Sequence, residues 1–312
     1  MASNTLLIIG GTGFFGKSIL KYFSNSKYLK KKINKIIIIS RKKLEEVDYI
    51  KKLKKNYNVV KINCDILKLK KIPVADYVIY CAILKNYKDD FLAVKNYVNL
   101  AKIYHRKSKI LYTSSGAVYG AQNKIRGFKE NHLKFYKKIN FNNGYKKSYS
   151  YYKLKSERLF QILASSGLKV SIARCFSFVG EFLPLNSHYV IGNLIKNILD
   201  KKKIIIKANY KIYRSYMHSD ELVKWLLKIL DYSNKKCHIY NVGLEKKISI
   251  CQIVKILAKK YKLQFVIPEI SFKKKDIYLP NVYKAKKELN LINKSDNIKN
   301  IIKTITYLKK NY

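Results

Sequence analysis

The chain has 312 residues, 48% of them hydrophobic, and its 66 Lys and Arg against 19 Asp and Glu give a net charge of +47. That hydrophobic content excludes a disordered chain, and no apolar run reaches the roughly 18–20 residues that span a bilayer. The five cysteines (Cys64, Cys81, Cys175, Cys237, Cys251) are scattered without a CxxC pair, which excludes a disulfide framework and predicts reduced thiols in a cytoplasmic protein.

Residues 5–16 read Thr-Leu-Leu-Ile-Ile-Gly-Gly-Thr-Gly-Phe-Phe-Gly. The apolar run, too short for a signal peptide, predicts a buried strand. It opens into glycines at 10, 13 and 16, and a helix over 14–24 follows. Glycine there lets the backbone turn sharply, approach a pyrophosphate closely and pack a helix on the strand. The helix start then offers free N–H groups and a positive dipole end to the anion. Gly10, Gly13, Phe14, Phe15 and Gly16 are therefore candidate cofactor contacts.

Further strands are predicted at 35–39, 58–63, 76–82, 109–113 and 169–174, with helices at 43–55, 88–106 and 148–165. This alternation predicts βαβ crossovers, hence an α/β, Rossmann-type, doubly wound parallel sheet. After Arg174 the elements shorten: an apolar helix near 188–200, a strand at 203–208 and a helix around 219–231. Three of the four prolines punctuate that half. The expected organisation is a dinucleotide-binding domain over 1–175 and, over 176–312, mainly a smaller substrate-binding lobe with segments returning to the first domain.

The second strand ends in Ser40-Arg41-Lys42, where an acidic residue would hold the 2′-hydroxyl of an adenosine ribose. A hydroxyl and cations suit a 2′-phosphate instead, so NADP(H) is favoured over NAD(H), with Ser40 and Arg41 as contacts. Asp65 after the third strand either accepts from an adenine amine, with Ile66 against the ring, or caps a turn. Ala82 ends the fourth strand with a side chain small enough to run beside a cofactor.

Strand 109–113 runs into Thr-Ser-Ser-Gly-Ala-Val-Tyr-Gly over 113–120. Downstream, Tyr149 and Lys153 stand at i and i+4 of a predicted helix, on one face and within reach of one ligand. An ammonium beside a phenol lowers its pKa from near 10 toward a range useful for proton transfer.

The net charge points first to nucleic acid, whose phosphates call for Lys and Arg. The lysines, however, spread along the whole chain, and only six residues are arginine. The excess of Lys, Ile, Asn and Tyr reads as AT-rich coding bias, so no specific nucleic-acid partner is expected. Three of the arginines (Arg41, Arg174, Arg214) fall inside motifs, where a planar fork matters. The five histidines show no metal-ligand spacing, and no metal is expected.

These motifs together resemble the extended short-chain dehydrogenase/reductases of the NAD(P)-dependent epimerase/dehydratase family that act on nucleotide sugars. The resemblance rests on Gly10/Gly13/Gly16, Asp65, Ser115 with Val118-Tyr119-Gly120, and Tyr149 with Lys153 and Glu157. It continues through Arg174-Cys-Phe-Ser-Phe-Val-Gly180, Arg214-Ser-Tyr-Met-His-Ser-Asp220, Tyr240-Asn241-Val242-Gly243 and the Ala285–Leu289 stretch. It implies Ser115, Tyr149 and Lys153 as catalytic residues: Tyr149 exchanges a proton with the sugar oxygen and Ser115 hydrogen-bonds it. Lys153 holds the nicotinamide ribose. It further implies Ser115, Ser177, Asn193 and Arg214 as substrate contacts, with Arg214 gripping the diphosphate; Ser177 departs from the Asn common in relatives.

The dehydratases of the resemblance carry an Asp-Glu pair where this chain has Gly116 and Ala117, which speaks against dehydration. The expected activity is an NADPH-dependent 4-ketoreductase of a 4-keto-6-deoxy nucleotide sugar in surface-polysaccharide synthesis. The alternatives are a nucleotide-sugar epimerase or epimerase–reductase and, from another class, a non-catalytic RNA-binding or scaffold protein. Relatives often dimerise through a helix bundle, which makes 88–106 and 148–165 candidate homodimer surfaces.

Overall fold

A computed structural model of the chain describes residues 4–26, 33–120, 126–133, 144–186 and 189–310. Two compact units emerge. One comprises residues 1–120, 141–175 and 223–240; the other comprises 121–140, 176–222 and 241–312.

The first unit is built on a sheet whose strands read as apolar runs, as expected where helices cover both faces. Its strands are β1 (Thr5–Ile9), β2 (Lys35–Ser40), β3 (Asn58–Asn63), β4 (Tyr77–Tyr80), β5 (Lys109–Ser115) and β6 (Lys169–Cys175). The sheet order is β11-β6-β5-β4-β1-β2-β3, with β11 the strand His238–Val242. Every pair from β3 through β6 runs parallel. After β1 the chain lays β2 and β3 on one side, then returns to lay β4, β5 and β6 on the other. That reversal creates a switch point between β1 and β4, where open α/β sheets bind ligands beyond the carboxyl ends of their strands.

The helices of this unit are α1 (Phe14–Asn25), α2 (Asp48–Asn56), α3 (Tyr87–Tyr104) and α4 (Gly144–Ser165). Leu7, Ile9, Ile37, Ile39, Val78, Ile110 and Ile172 are buried in one core with Ala93, Val94, Val98 and Leu163 from α3 and α4. Burying each such aliphatic side chain contributes roughly 1.5–3 kcal/mol. An aromatic cluster fills the space between sheet and helices: Tyr112 stacks on Phe160 at 4.4 Å, and Tyr80 contacts Tyr97, Tyr112 and Phe160 at 5.1–5.9 Å.

Two expectations in this unit require correction. The helix predicted from residue 43 begins at Asp48. Its N-cap Val47 is extended, and Glu45 and Glu46 ahead of it pair with Lys17 and Lys54. The strand predicted at 76–82 is confined to Tyr77–Tyr80, because Cys81 and Ala82 leave the ladder beside the glycine turn.

The second unit is described by α5 (Val190–Leu199), β7 (Phe178–Val179), β8 (Ile204–Ile205), β9 (Tyr210–Arg214) and β10 (Met217–His218). It also includes β12 (Ile248–Ser249), α7 (Ile250–Tyr261), β13 (Phe265–Val266), β14 (Phe272–Ile277), α8 (Tyr283–Leu289) and α9 (Asn297–Lys309). The helix α6 (Ser219–Asp231) precedes β11. Three small sheets organise the unit: β12-β9-β14, β10-β7 and β13-β8. The strand expected over 203–208 reduces to the two residues of β8, which pair with β13 some sixty residues on. Among the described residues no helix is long and apolar enough to cross a membrane.

Candidate active site

The glycine turn follows β1 at the switch point. Gly10 has φ +95°, and a Cβ there would lie 2.5 Å from the Ala82 backbone. Gly16 is equally constrained, since its Cβ would meet Gly11 Cα at 2.4 Å. Gly13 differs: its Cβ would meet only the Gly10 carbonyl oxygen, at 3.5 Å. The fold thus demands Gly10 and Gly16, whereas Gly13 leaves open space for something outside the chain. Gly13 is also the N-cap of α1, which has no side-chain cap and no acidic residue in its first turn. Its first N–H groups suit a bound anion. Phe14 and Phe15 open the helix, half-buried, with their rings 5.7 Å apart.

At the end of β2, Ser40 is buried and its hydroxyl donates to the Lys42 carbonyl at 3.1 Å. Arg41 is exposed and has no hydrogen bond or ion pair among the described residues. After β3, the Asp65 carboxylate accepts from the Leu67 N–H at 3.1 Å and caps a short 3-10 turn, so the turn-capping role is present. Ile66 is buried in the core. Ala82 is half-buried beside the Gly10 turn.

Three hydrogen bonds join the end of β5 and the turn after it to one face of α4. Lys153 Nζ donates to the Tyr112 hydroxyl at 3.2 Å, Ser114 Oγ to Glu157 at 2.6 Å, and Ser150 Oγ to the Ala117 carbonyl at 2.7 Å. Ser115 lies between the last two of these, and its hydroxyl accepts from the Ala117 N–H at 3.1 Å. Tyr149 adjoins Ser150 one helical turn before Lys153, half-buried against the ring of Tyr87 at 5.1 Å. Ser115, Tyr149 and Lys153 are thereby gathered at the carboxyl end of β5.

Beneath them Arg174 on β6 donates from Nε and Nη2 to the Glu157 carboxylate and from Nη1 to the Tyr119 hydroxyl at 2.9 Å. This buried network ties β5, the Gly116–Tyr119 turn, α4 and β6 together, so the match at Glu157 and Arg174 is a structural support.

Sequence reasoning overlooked Asp90 and Tyr112. The Lys153 side chain is 5% exposed, and its ammonium lies 3.2 Å from Asp90 Oδ2 on α3 as well as from Tyr112. Burial alone would push the lysine pKa down. Tyr112, Asp90 and Tyr149 outweigh it and hold the pKa well above the ordinary lysine value. Burial pushes the Tyr112 phenol up to about 12, against the lowering effect of Lys153. Asp90 stands in a Tyr-Lys-Asp-Asp helix start, which reads as ordinary dipole compensation; only the packing of α3 on α4 gives it a partner.

In the second unit, Arg214 turns its fork to Asp276, with Nη1 to Oδ1 at 3.1 Å and Nη2 to Oδ2 at 2.8 Å. Tyr278 lies beneath its guanidinium. Asp276 is a third residue that sequence reasoning overlooked, because β9 and β14 are distant in the chain. Asn193 is exposed on α5, and the half-buried Ser177 accepts from the Met217 N–H through its carbonyl at 3.1 Å. Asn241 is fully buried and donates to the Phe128 and Asn281 carbonyls, a structural duty. Among the described residues there is no cluster of three His, Cys, Asp or Glu suited to a metal ion.

A family model described as the NAD dependent epimerase/dehydratase family matches residues 6–243. No curated protein sequence matches the chain. The fold is similar to that of dTDP-glucose 4,6-dehydratase DesIV from Streptomyces venezuelae with NAD and TYD bound. There the identity is 15%, the coverage 98% of this chain and 97% of that chain, and the TM-score 0.81. It is also similar to UDP-glucose 4-epimerase from Thermotoga maritima with UDP-glucose, at 17% identity, 98% and 99% coverage and a TM-score of 0.76. A third similar structure is UDP-N-acetylglucosamine 4-epimerase from Methanobrevibacter ruminantium M1 in complex with UDP-N-acetylmuramic acid. It is 19% identical, with full coverage of both chains and a TM-score of 0.75.

Proposed function

The chain belongs to the NAD-dependent epimerase/dehydratase family of enzymes, and we propose that within it the protein is an NADPH-dependent 4-ketoreductase of a 4-keto-6-deoxy nucleotide sugar. The observation that carries this reading is the end of β2. Ser40 and Arg41, the latter without a partner among the described residues, stand where an acidic residue would favour NAD, and a guanidinium fork suits a 2′-phosphate. The open Gly13 and the uncapped start of α1 fit the pyrophosphate of the same cofactor. When bound, reduced nicotinamide supplies the hydride.

The chain's own groups do the rest. Ser115 hydrogen-bonds the sugar carbonyl oxygen, and Tyr149 gives that oxygen its proton as the carbonyl becomes an alcohol. Lys153 stays charged beside the phenol, holds the nicotinamide ribose and stabilises the tyrosinate left behind. Phe14, Phe15, Asp65, Ile66 and Ala82 complete the cofactor site, and Ser177, Asn193 and Arg214 are the substrate contacts. Gly116 and Ala117 carry no group able to move a proton, so loss of water is not part of this chemistry. Surface-polysaccharide synthesis in the cytoplasm is the setting proposed.

A second reading, a 4-epimerase, draws on the two epimerases among the similar structures. One assay separates the two. Incubation with a 4-keto-6-deoxy nucleotide sugar should consume NADPH mole for mole. Interconversion of 4-hydroxy nucleotide sugars without net change in the cofactor would establish the epimerase and overturn the reductase.

A further inference from the structure

Asp90 is 3% exposed and uses both carboxylate oxygens. Oδ1 accepts from the Leu84 N–H at 2.9 Å, and Oδ2 lies 3.2 Å from Lys153 Nζ. Leu84 stands two residues after Ala82, in the segment that leaves β4 at the switch point. One buried anion thus holds both the backbone that passes the cofactor site and the ammonium expected to act there.

An isolated ammonium one helical turn from a phenol acidifies it strongly; an ammonium paired with a carboxylate at hydrogen-bond distance is a dipole, whose field falls off more steeply. We propose that Asp90 is a positioning residue, the counter-ion of Lys153, which withholds part of the ammonium's field from Tyr149 and keeps that phenol protonated. The benefit rests on the reductase reading, since reduction needs Tyr149 to arrive with its proton, whereas an oxidation would need the phenolate.

The other titratable groups that face Lys153 do not take over this role. From β4 and its end come Tyr80 and Cys81, from β5 Tyr112 and from β6 Cys175. Burial raises the pKa of all four and leaves them neutral near pH 7, so the carboxylate from α3 balances the charge.

The test needs no cofactor or substrate. Phenolate absorbance is titrated in each protein and in its Tyr149→Phe counterpart, and the difference isolates the Tyr149 phenol. In Asp90→Asn the midpoint should fall by about one pH unit or more relative to the native chain. An unchanged or higher midpoint overturns the proposal. Because Asp90→Asn leaves an unbalanced buried ammonium, the neutral exchange Asp90→Asn with Lys153→Met is titrated as well. If Asp90 offsets Lys153, removing both keeps the midpoint within about half a unit of native; a rise of about one unit or more refutes the offset. Asp90→Glu should restore the native midpoint, and failure to do so counts against the carboxylate. Failure of the reductase reading would appear separately, as absent NADPH consumption by the native chain.

Discussion

Arg174 and Glu157 form a bidentate ion pair with both side chains 3% exposed, at 3.0 Å from Nε to Oε1 and 2.8 Å from Nη2 to Oε2. Ser114 and Tyr119 complete its hydrogen bonds, so no charge in the network is left unbalanced. Removing one partner strands the other inside the protein. Glu157→Gln should therefore lower the unfolding free energy by about 3–5 kcal/mol in urea denaturation. A loss below about 1 kcal/mol would mean that the pair does not brace the site.

The two kinds of glycine in the turn separate folding from binding. At Gly13 a methyl group meets only the Gly10 carbonyl oxygen at 3.5 Å, so Gly13→Ala should change stability by less than about 1 kcal/mol. The same methyl occupies the space offered to a pyrophosphate, and nicotinamide-cofactor affinity should drop by about tenfold or more. Gly16→Ala, with contacts of 2.4–2.5 Å to backbone, should lose stability first. Thermal melts and cofactor titration read the two effects, and a stable Gly13→Ala with native affinity would contradict the assignment.

Arg41 has no competing partner among the described residues. Arg41→Ala should weaken NADPH binding about tenfold more than NADH binding, through loss of a charge-assisted contact to the 2′-phosphate. Equal losses for both cofactors, measured by fluorescence quenching, would remove the proposed selectivity.

Tyr149→Phe removes the proton donor while keeping the ring. Turnover should fall by about a hundredfold or more, with cofactor affinity near native. Unimpaired turnover would remove the tyrosine from the mechanism.

His105 supplies a pH prediction. It is buried with Nε2 at 2.9 Å from the Pro73 carbonyl oxygen and Nδ1 at 3.3 Å from the Tyr97 hydroxyl. Burial lowers its pKa, outweighing the raising effect of the Pro73 carbonyl. The native state then binds the proton more weakly than the unfolded chain does. Its contribution is complete above the unfolded value of about 6.5 and is lost as pH falls through and below it. The stability gap between the native chain and His105→Gln should narrow on acidification through that range. Parallel stability curves would exclude His105 as the source.

Local periodicity was enough to read β1 through β6: the interior strands are buried on both faces and announce themselves as apolar runs, and the half-exposed edge strand β3 still carries Val59, Val60 and Ile62. The same holds for α1, α3 and α4. Elements formed by distant partners were read less well: the strand expected over 203–208 survives only where Ile204 and Ile205 meet β13, and β9, which needs β12 and β14, stayed hidden. The candidate site divides similarly. Gly10, Ser115, Tyr149 and Lys153 stand in motifs with fixed spacing, while Asp90 acquires its partner only when α3 packs on α4. Nothing along the chain distinguishes it from its half-buried neighbour Asp89.

The discontinuous course of the first unit also governs how the protein can be cut. A fragment ending at Cys175 would contain the glycine turn, Ser115, Tyr149 and Lys153, yet it would lack the 223–240 segment that leads into β11. The hydrogen-bonding groups of β6 would then lie bare along an unprotected margin beside Val170, Ile172 and Ala173. Strands stripped in this way recruit other chains, so such a fragment should aggregate rather than survive as a minimal catalytic core.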